Sequence, residues 1–156
     1  MALHVALVEP EIPPNTGNIA RSCAATETVL HLIKPLGFSI DNKMLKRAGL
    51  DYWPYVDLRV HESLDGFLAE MKGKSLYFAT TKGEKFYTEV FYKDEDVLVF
   101  GKETKGLPLE LINENRERTI RIPMGKDTKS RSFNLSNAVN IVLFEALRQL
   151  GFPAMT

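Results

Sequence analysis

Short apolar runs, spaced along the chain and separated by helical patterns, constrain this fold more than any other feature. Val5-Ala6-Leu7-Val8 reads as a buried strand closed by the rigid loop Glu9-Pro10-Glu11-Ile12-Pro13-Pro14. Further strands are expected at Leu30 to Ile33, near Val56 to Val60, and at Leu76 to Thr80, Val97 to Phe100 and Thr119 to Ile122. Between them, Asn15-Thr16-Gly17-Asn18 opens a helix carrying Ile19, Ala20, Cys23 and Ala24 on one side. A short basic helix is expected from Asp41 to Ala48, and another helix from Ser63 to Met71. The last helix runs from Leu135 to Leu150, with apolar residues at 135, 138, 139, 142, 146, 147 and 150. Strands alternating with helices imply an α/β layer fold with a mostly parallel sheet. The 156 residues, 44% of them hydrophobic, suffice for one core, and a single domain over 1–156 is expected.

Charge excludes little. Twenty basic residues balance twenty acidic ones, so no global field draws the chain to nucleic acid. From Lys102 to Arg131, eight basic residues face five acidic ones, a local surplus that a solvated surface explains equally well. The lone cysteine, Cys23, rules out an intrachain disulfide, and no Cys/His cluster has the spacing of a metal site. No signal peptide or membrane-length apolar run is apparent, so a soluble cytoplasmic protein is expected.

Three clusters follow strands, where open α/β sheets place ligands. Pro13-Pro14-Asn15-Thr16-Gly17-Asn18-Ile19-Ala20-Arg21 offers free helix-start N–H groups, with Arg21 one turn further in. Val99-Phe100-Gly101-Lys102-Glu103-Thr104-Lys105-Gly106-Leu107-Pro108 brackets a carboxylate with two glycines, although it lacks the Gly-Lys-Ser/Thr of a phosphate-binding loop. Ile120-Arg121-Ile122-Pro123-Met124 leads to Ser130-Arg131-Ser132-Phe133-Asn134-Leu135-Ser136-Asn137-Ala138-Val139. One cap would start that helix, and this stretch holds several polar groups. Read singly, ordinary capping accounts for the first cluster and a hairpin with a solvated glutamate for the second.

In this order, N-T-G-N-x-x-R, F-G-x-E-x-x-G-L-P and I-R-I-P-M with S-x-N-L-S-N-A-V resemble the three motifs of the SpoU branch of the SPOUT methyltransferases. The likeness extends to Pro35-Leu36-Gly37-Phe38, Arg47-Ala48-Gly49-Leu50-Asp51-Tyr52 and Glu145-Ala146-Leu147-Arg148-Gln149-Leu150-Gly151. It is strongest to the small members that methylate the ribose 2′-oxygen of the wobble nucleotide, cytidine or uridine 34, of tRNA. The resemblance implies a C-terminal trefoil knot, which general topology rules would disfavour. It also implies a homodimer through the first and last helices, which fits a second apolar face at Ile141 and Phe144. S-adenosyl-L-methionine is the implied cofactor, held by Ala79 or Thr80, Gly101, Ile122 and Ser132, with Met124 and Leu135 completing an apolar slot for adenine. Gly101 is expected to lack a side chain so that the ligand can approach.

By the same resemblance, Arg21 belongs at the reaction centre. Arginine stays protonated, so it suits a clamp on phosphate or ribose oxygen better than a base. Glu103 and Asn15 are expected to orient it, and Asn134 with Ser132 to hold ribose and the methionine end of the cofactor. Lys43, Lys46, Arg47, Lys126, Lys129 and Arg131 are expected to grip phosphates of a tRNA anticodon stem–loop. Tyr52 and Trp53 are candidates for stacking on a base, with core packing an equal alternative. His4, His31 and His61 fall outside the three loops and read as structural. Three departures from the common family pattern stand out: Lys102 for proline, Glu27 for glycine and Phe144 for tyrosine. Methylation of another tRNA position or of ribosomal RNA, and a non-catalytic RNA-binding or assembly factor, are the competing readings.

Overall fold

A computed structural model describes residues 2–39 and 53–156. The expected basic helix, with Lys43, Lys46 and Arg47, lies outside these residues, as does Tyr52. The remaining runs form one parallel seven-stranded sheet. Its strands are β1 (His4–Val8), β2 (Val29–Ile33), β3 (Leu58–His61), β4 (Leu76–Ala79), β5 (Lys85–Phe86), β6 (Val97–Phe100) and β7 (Thr119–Arg121), in the order β3-β2-β1-β6-β4-β7-β5. Four helices accompany them among the described residues: α1 (Pro13–Ala25), α2 (Leu64–Glu70), α3 (Leu109–Glu114) and α4 (Leu135–Gln149). β5 and α3 were not anticipated from the sequence.

The strands at the centre are apolar throughout because both sheet faces are covered. Val5 and Leu7 of β1 join Leu98 and Phe100 of β6 in a core with Ile19 and Cys23 of α1 and Val139, Val142 and Leu143 of α4. Ala6, Val8, Val97 and Val99 point the other way, toward Phe67 of α2 and Leu111 of α3. Leu143, missing from the stripe expected on the last helix, is fully buried. Together with residues 139, 142, 146 and 147 it widens that stripe to the breadth a core-facing helix needs. On the outer side, Phe144 is 44% exposed and Ile141 half-buried, so a second apolar face is present.

Helix α1 starts earlier than its glycine implied. Pro13 and Pro14 occupy its first turn, where a missing N–H costs nothing, and Gly17 lies inside the helix and is buried. At its other end Glu27 adopts φ 53, the left-handed conformation that ordinarily selects glycine.

The three histidines form a line under α2. His4 Nδ1 lies 2.8 Å from His31 Nε2, and His31 Nδ1 lies 2.9 Å from His61 Nε2. His4 Nε2 meets Glu95 at 2.9 Å, and Glu95, held down to about 2 by hydrogen bonds from His4 and Lys74, only accepts. His4 and His31 therefore carry their protons on Nε2 and accept at Nδ1, the last link being donated by His61 Nε2. Burial, reinforced by the neighbouring His4 and His61, pushes His31 from 6.5 down to about 3. The unfolded chain thus binds a proton at this residue that the folded one refuses between those limits. Stability attributable to His31 is constant above pH 6.5 and falls by about 1.4 kcal/mol per pH unit as the solution is acidified toward pH 3. Urea titrations from pH 7 down to pH 4 should show stability falling on acidification, with His4 and the depressed carboxylates adding to the slope, and His31→Gln should lower proton uptake on unfolding by one. An unchanged uptake would mean that His31 is protonated in the native state.

Candidate active site

Strands β1 and β6 are neighbours whose onward connections diverge, β1 leading through α1 to β2 and β6 through α3 to β7. Loops beyond the carboxyl ends of such a strand pair part and leave a crevice. A cavity of about 470 Å³ opens there, within the size range of small-molecule sites. Its walls come from the start of α1, the ends of β4, β6 and β7, and the start of α4.

All seven residues expected to hold a cofactor (Ala79, Thr80, Gly101, Ile122, Met124, Ser132 and Leu135) line this one cavity. So do Asn15, Glu103 and Asn134. Arg131, expected on the RNA-binding surface, also lines it, whereas Lys126 and Lys129 are exposed on the loop leading to it. Arg21 is not among the lining residues; it lies with Asn18 on the exposed side of α1. Lining residues that the sequence did not single out include Ile12, Thr81, Leu107, Ile112, Ala138 and Val142. Ala138 and Val142 could have been found from the helical period, because they continue the face that begins at Leu135.

The polar groups form a connected system. Helix α1 has Ile12 as its N-cap, with no side-chain acceptor of its own. Glu103 supplies one from the loop after β6: Oε1 accepts from Glu11 N at 2.8 Å and Oε2 from Ile12 N at 2.8 Å. This places a negative charge at the positive end of the helix dipole. In return Glu11 accepts from Thr104 N at 3.0 Å and from Thr104 Oγ1 at 2.7 Å, bonds that hold its carboxyl below the usual carboxylate range. The two loops therefore clamp each other with one carboxylate apiece.

From Glu103 the network continues to the last helix. Asn15 Nδ2 donates to Glu103 Oε2 at 3.2 Å, Asn134 Nδ2 donates to Asn15 Oδ1 at 3.1 Å, and Asn134 Oδ1 accepts from Ser136 N at 3.0 Å and Asn137 N at 3.3 Å. A carboxylate that only accepts stands at one end and helix N–H groups that only donate at the other. Both amide orientations follow.

The geometry gives Glu103 a role in joining loops: its hydrogen bonds run to the α1 backbone and to Asn15. Gly101, which lines the cavity, is also required by the loop itself: a Cβ built on it would lie 2.0 Å from Gly106 C and 2.1 Å from Leu107 N. The loop's own backbone fills that space. Gly106 completes the turn at φ 67, donating to Lys102 O at 2.8 Å.

A parallel sheet whose strand-end loops enclose a half-apolar, half-polar pocket belongs to the ligand-binding α/β proteins. Residues 2–144 match the SpoU rRNA Methylase family model, and the chain belongs to that family. It is 50% identical over 152 residues to the tRNA (cytidine(34)-2'-O)-methyltransferase of Escherichia coli strain K12, covering 97% of this chain and 96% of that one. A solved structure described as giving structural insights into the 2-OH methylation of C/U34 on tRNA superposes with a TM-score of 0.89 at 46% identity, over 96% of this chain and 97% of that one. An AdoMet-bound rRNA methyltransferase from Sinorhizobium meliloti gives a TM-score of 0.82 at 25% identity, over 96% of this chain and 57% of that one.

Proposed function

We propose that this protein is an S-adenosylmethionine-dependent methyltransferase acting on the ribose 2′-oxygen of the wobble nucleotide, cytidine or uridine 34, of tRNA. The observation that carries this reading is the convergence of Gly101, Ile122 and Ser132 on the cavity whose wall holds the Glu103–Asn15–Asn134 line. The residues suit such a cofactor. Ile122, Met124 and Leu135 offer partly exposed apolar surface for adenine, and Thr80, Ser132 and Asn134 offer polar groups for ribose and the amino-acid end. No group of His, Cys, Asp and Glu able to hold a metal occurs among the described residues, and no helix there is long and apolar enough to cross a membrane. We assign the whole span 1–156 to one cytoplasmic domain with a C-terminal trefoil knot, working as a homodimer through α1 and α4. Exposed Phe144 and half-buried Ile141 support that pairing.

Held by Gly101, Ile122, Met124, Ser132 and Leu135, S-adenosylmethionine would supply an electrophilic sulfonium methyl group for the ribose oxygen. The chain's part is to bring the 2′-hydroxyl into line and let its proton leave. Glu103, Asn15 and Asn134 hold the three loops in one geometry, so the reacting atoms meet a preformed cleft. Arg21, always charged, clamps a phosphate or ribose oxygen of the substrate. Lys126, Lys129 and Arg131 (with Lys43, Lys46 and Arg47 beyond the described residues) hold the anticodon stem–loop.

The test is transfer from labelled S-adenosylmethionine to total tRNA, followed by mapping of the methylated nucleotide. Label at ribose 34 supports the proposal, label at another nucleotide moves the target, and cofactor binding without transfer favours a binding factor. Arg21→Ala should lower turnover about a hundredfold or more while cofactor affinity stays near wild type. A collapse of cofactor affinity would refute the clamp role.

A further inference from the structure

We propose that a second groove beside the cavity seats the backbone phosphate of the nucleotide adjoining the acceptor on the same RNA strand. This rests on the reading of RNA as substrate given above. The groove, about 450 Å³, shares Thr80, Lys102 and Gly106 with the wall of the cofactor cavity and continues beyond it over Lys82 and Leu109. A strand delivering its ribose to the cavity therefore has contiguous space for the next nucleotide.

The charges in this groove are unbalanced. Lys82, Lys102 and Lys105 line it against one carboxylate, Glu9. Glu9 is held in the left-handed conformation at φ 54, and its Oε1 lies 3.6 Å from Lys102 Nζ, so that pair offsets itself. Lys82 and Lys105 have no ion-pair partner among the described residues. Beside them Leu109 leaves 71% of its surface open to water. An exposed aliphatic side chain next to two ammonium groups, of which Lys105 feels the Glu11 carboxylate only at a distance, matches the two halves of a nucleotide. The base or sugar edge rests on the leucine, and the phosphate meets the lysines as point charges. The residues differ from those already assigned to RNA: Lys126, Lys129 and Arg131 lie on the segment before α4, on another wall.

The experiment measures binding of a fluorescently labelled anticodon stem–loop, by anisotropy, between about 50 and about 200 mM salt. Lys82→Gln should weaken binding about threefold to tenfold and reduce the slope of log affinity against log salt by about one, and Lys82→Gln with Lys105→Gln by about two. Leu109→Ser should weaken binding and leave the slope unchanged. Lys72→Gln, the same loss of charge placed between α2 and β4 at the opposite end of the sheet, should behave as wild type. Lys82 does not line the cofactor cavity, so Lys82→Gln with wild-type cofactor affinity shows that the fold and the cavity are intact. Wild-type salt slopes in both lysine variants overturn the groove and leave the methyltransferase reading untouched. A wild-type protein that neither binds the stem–loop nor methylates RNA overturns both.

Discussion

Gly101→Ala is expected to abolish cofactor binding and to destabilise the protein by roughly 3 kcal/mol, at the upper end of what overpacking a well-filled site costs. The added methyl would fall 2.0 Å from the carbonyl carbon of Gly106 and 2.1 Å from the amide of Leu107, where a real contact needs well over 3 Å. Both neighbours are backbone atoms and cannot rotate aside. Relief requires the loop from Lys102 to Gly106 to open, which breaks its closing hydrogen bond and pulls Glu103 away from α1. Chemical denaturation and calorimetric titration of S-adenosylmethionine measure the two effects. Wild-type affinity in a folded Gly101→Ala protein would show that the loop tolerates displacement and that its shape does not define the cavity.

Glu103→Ala should be almost as damaging, and Glu103→Gln only somewhat milder. Two backbone N–H groups and one side-chain amide depend on this carboxylate, and hydrogen bonds to a charged acceptor contribute about 1.5–3 kcal/mol each. Because Glu103 is partly solvated, a total loss of roughly 2–3 kcal/mol is expected rather than the sum. Glutamine keeps the length but turns one acceptor into a donor facing another donor. Hydrogen exchange at the Glu11 and Ile12 amides should accelerate in both variants, and turnover should fall together with loop order. Lost turnover with unchanged exchange at those two amides would instead make Glu103 a participant in the chemistry.

The strands were legible because a strand buried on both faces must be apolar at nearly every position, as in His4–Val8 and Val97–Phe100. β5 was not, since two residues make no run, and α3, six residues behind Pro108, is too short to display a helical period. Helix α4 began at Leu135 as read, with Asn134 as its cap. The members of the cavity wall were identified by resemblance to a family, because periodicity says nothing about which loops meet. For the same reason the role of Glu103 was out of reach. Its partners lie 88 to 92 residues away, and only the folded sheet brings β1 and β6 side by side. The need for Gly101 was evident, but a further cause, the loop's own returning backbone, depends on a conformation that spacing does not encode. Glu27 shows the converse: a departure from the family pattern found by comparing residues proved to be a left-handed helix end.

The cavity draws on chain positions from Ile12 to Val142. During translation, then, the cavity cannot be complete until nearly all of the polypeptide has left the ribosome, however early the central strands have formed. A nascent chain stopped before Asn134 would lack both the amide that completes the Asn15 line and the helix that covers one face of the sheet.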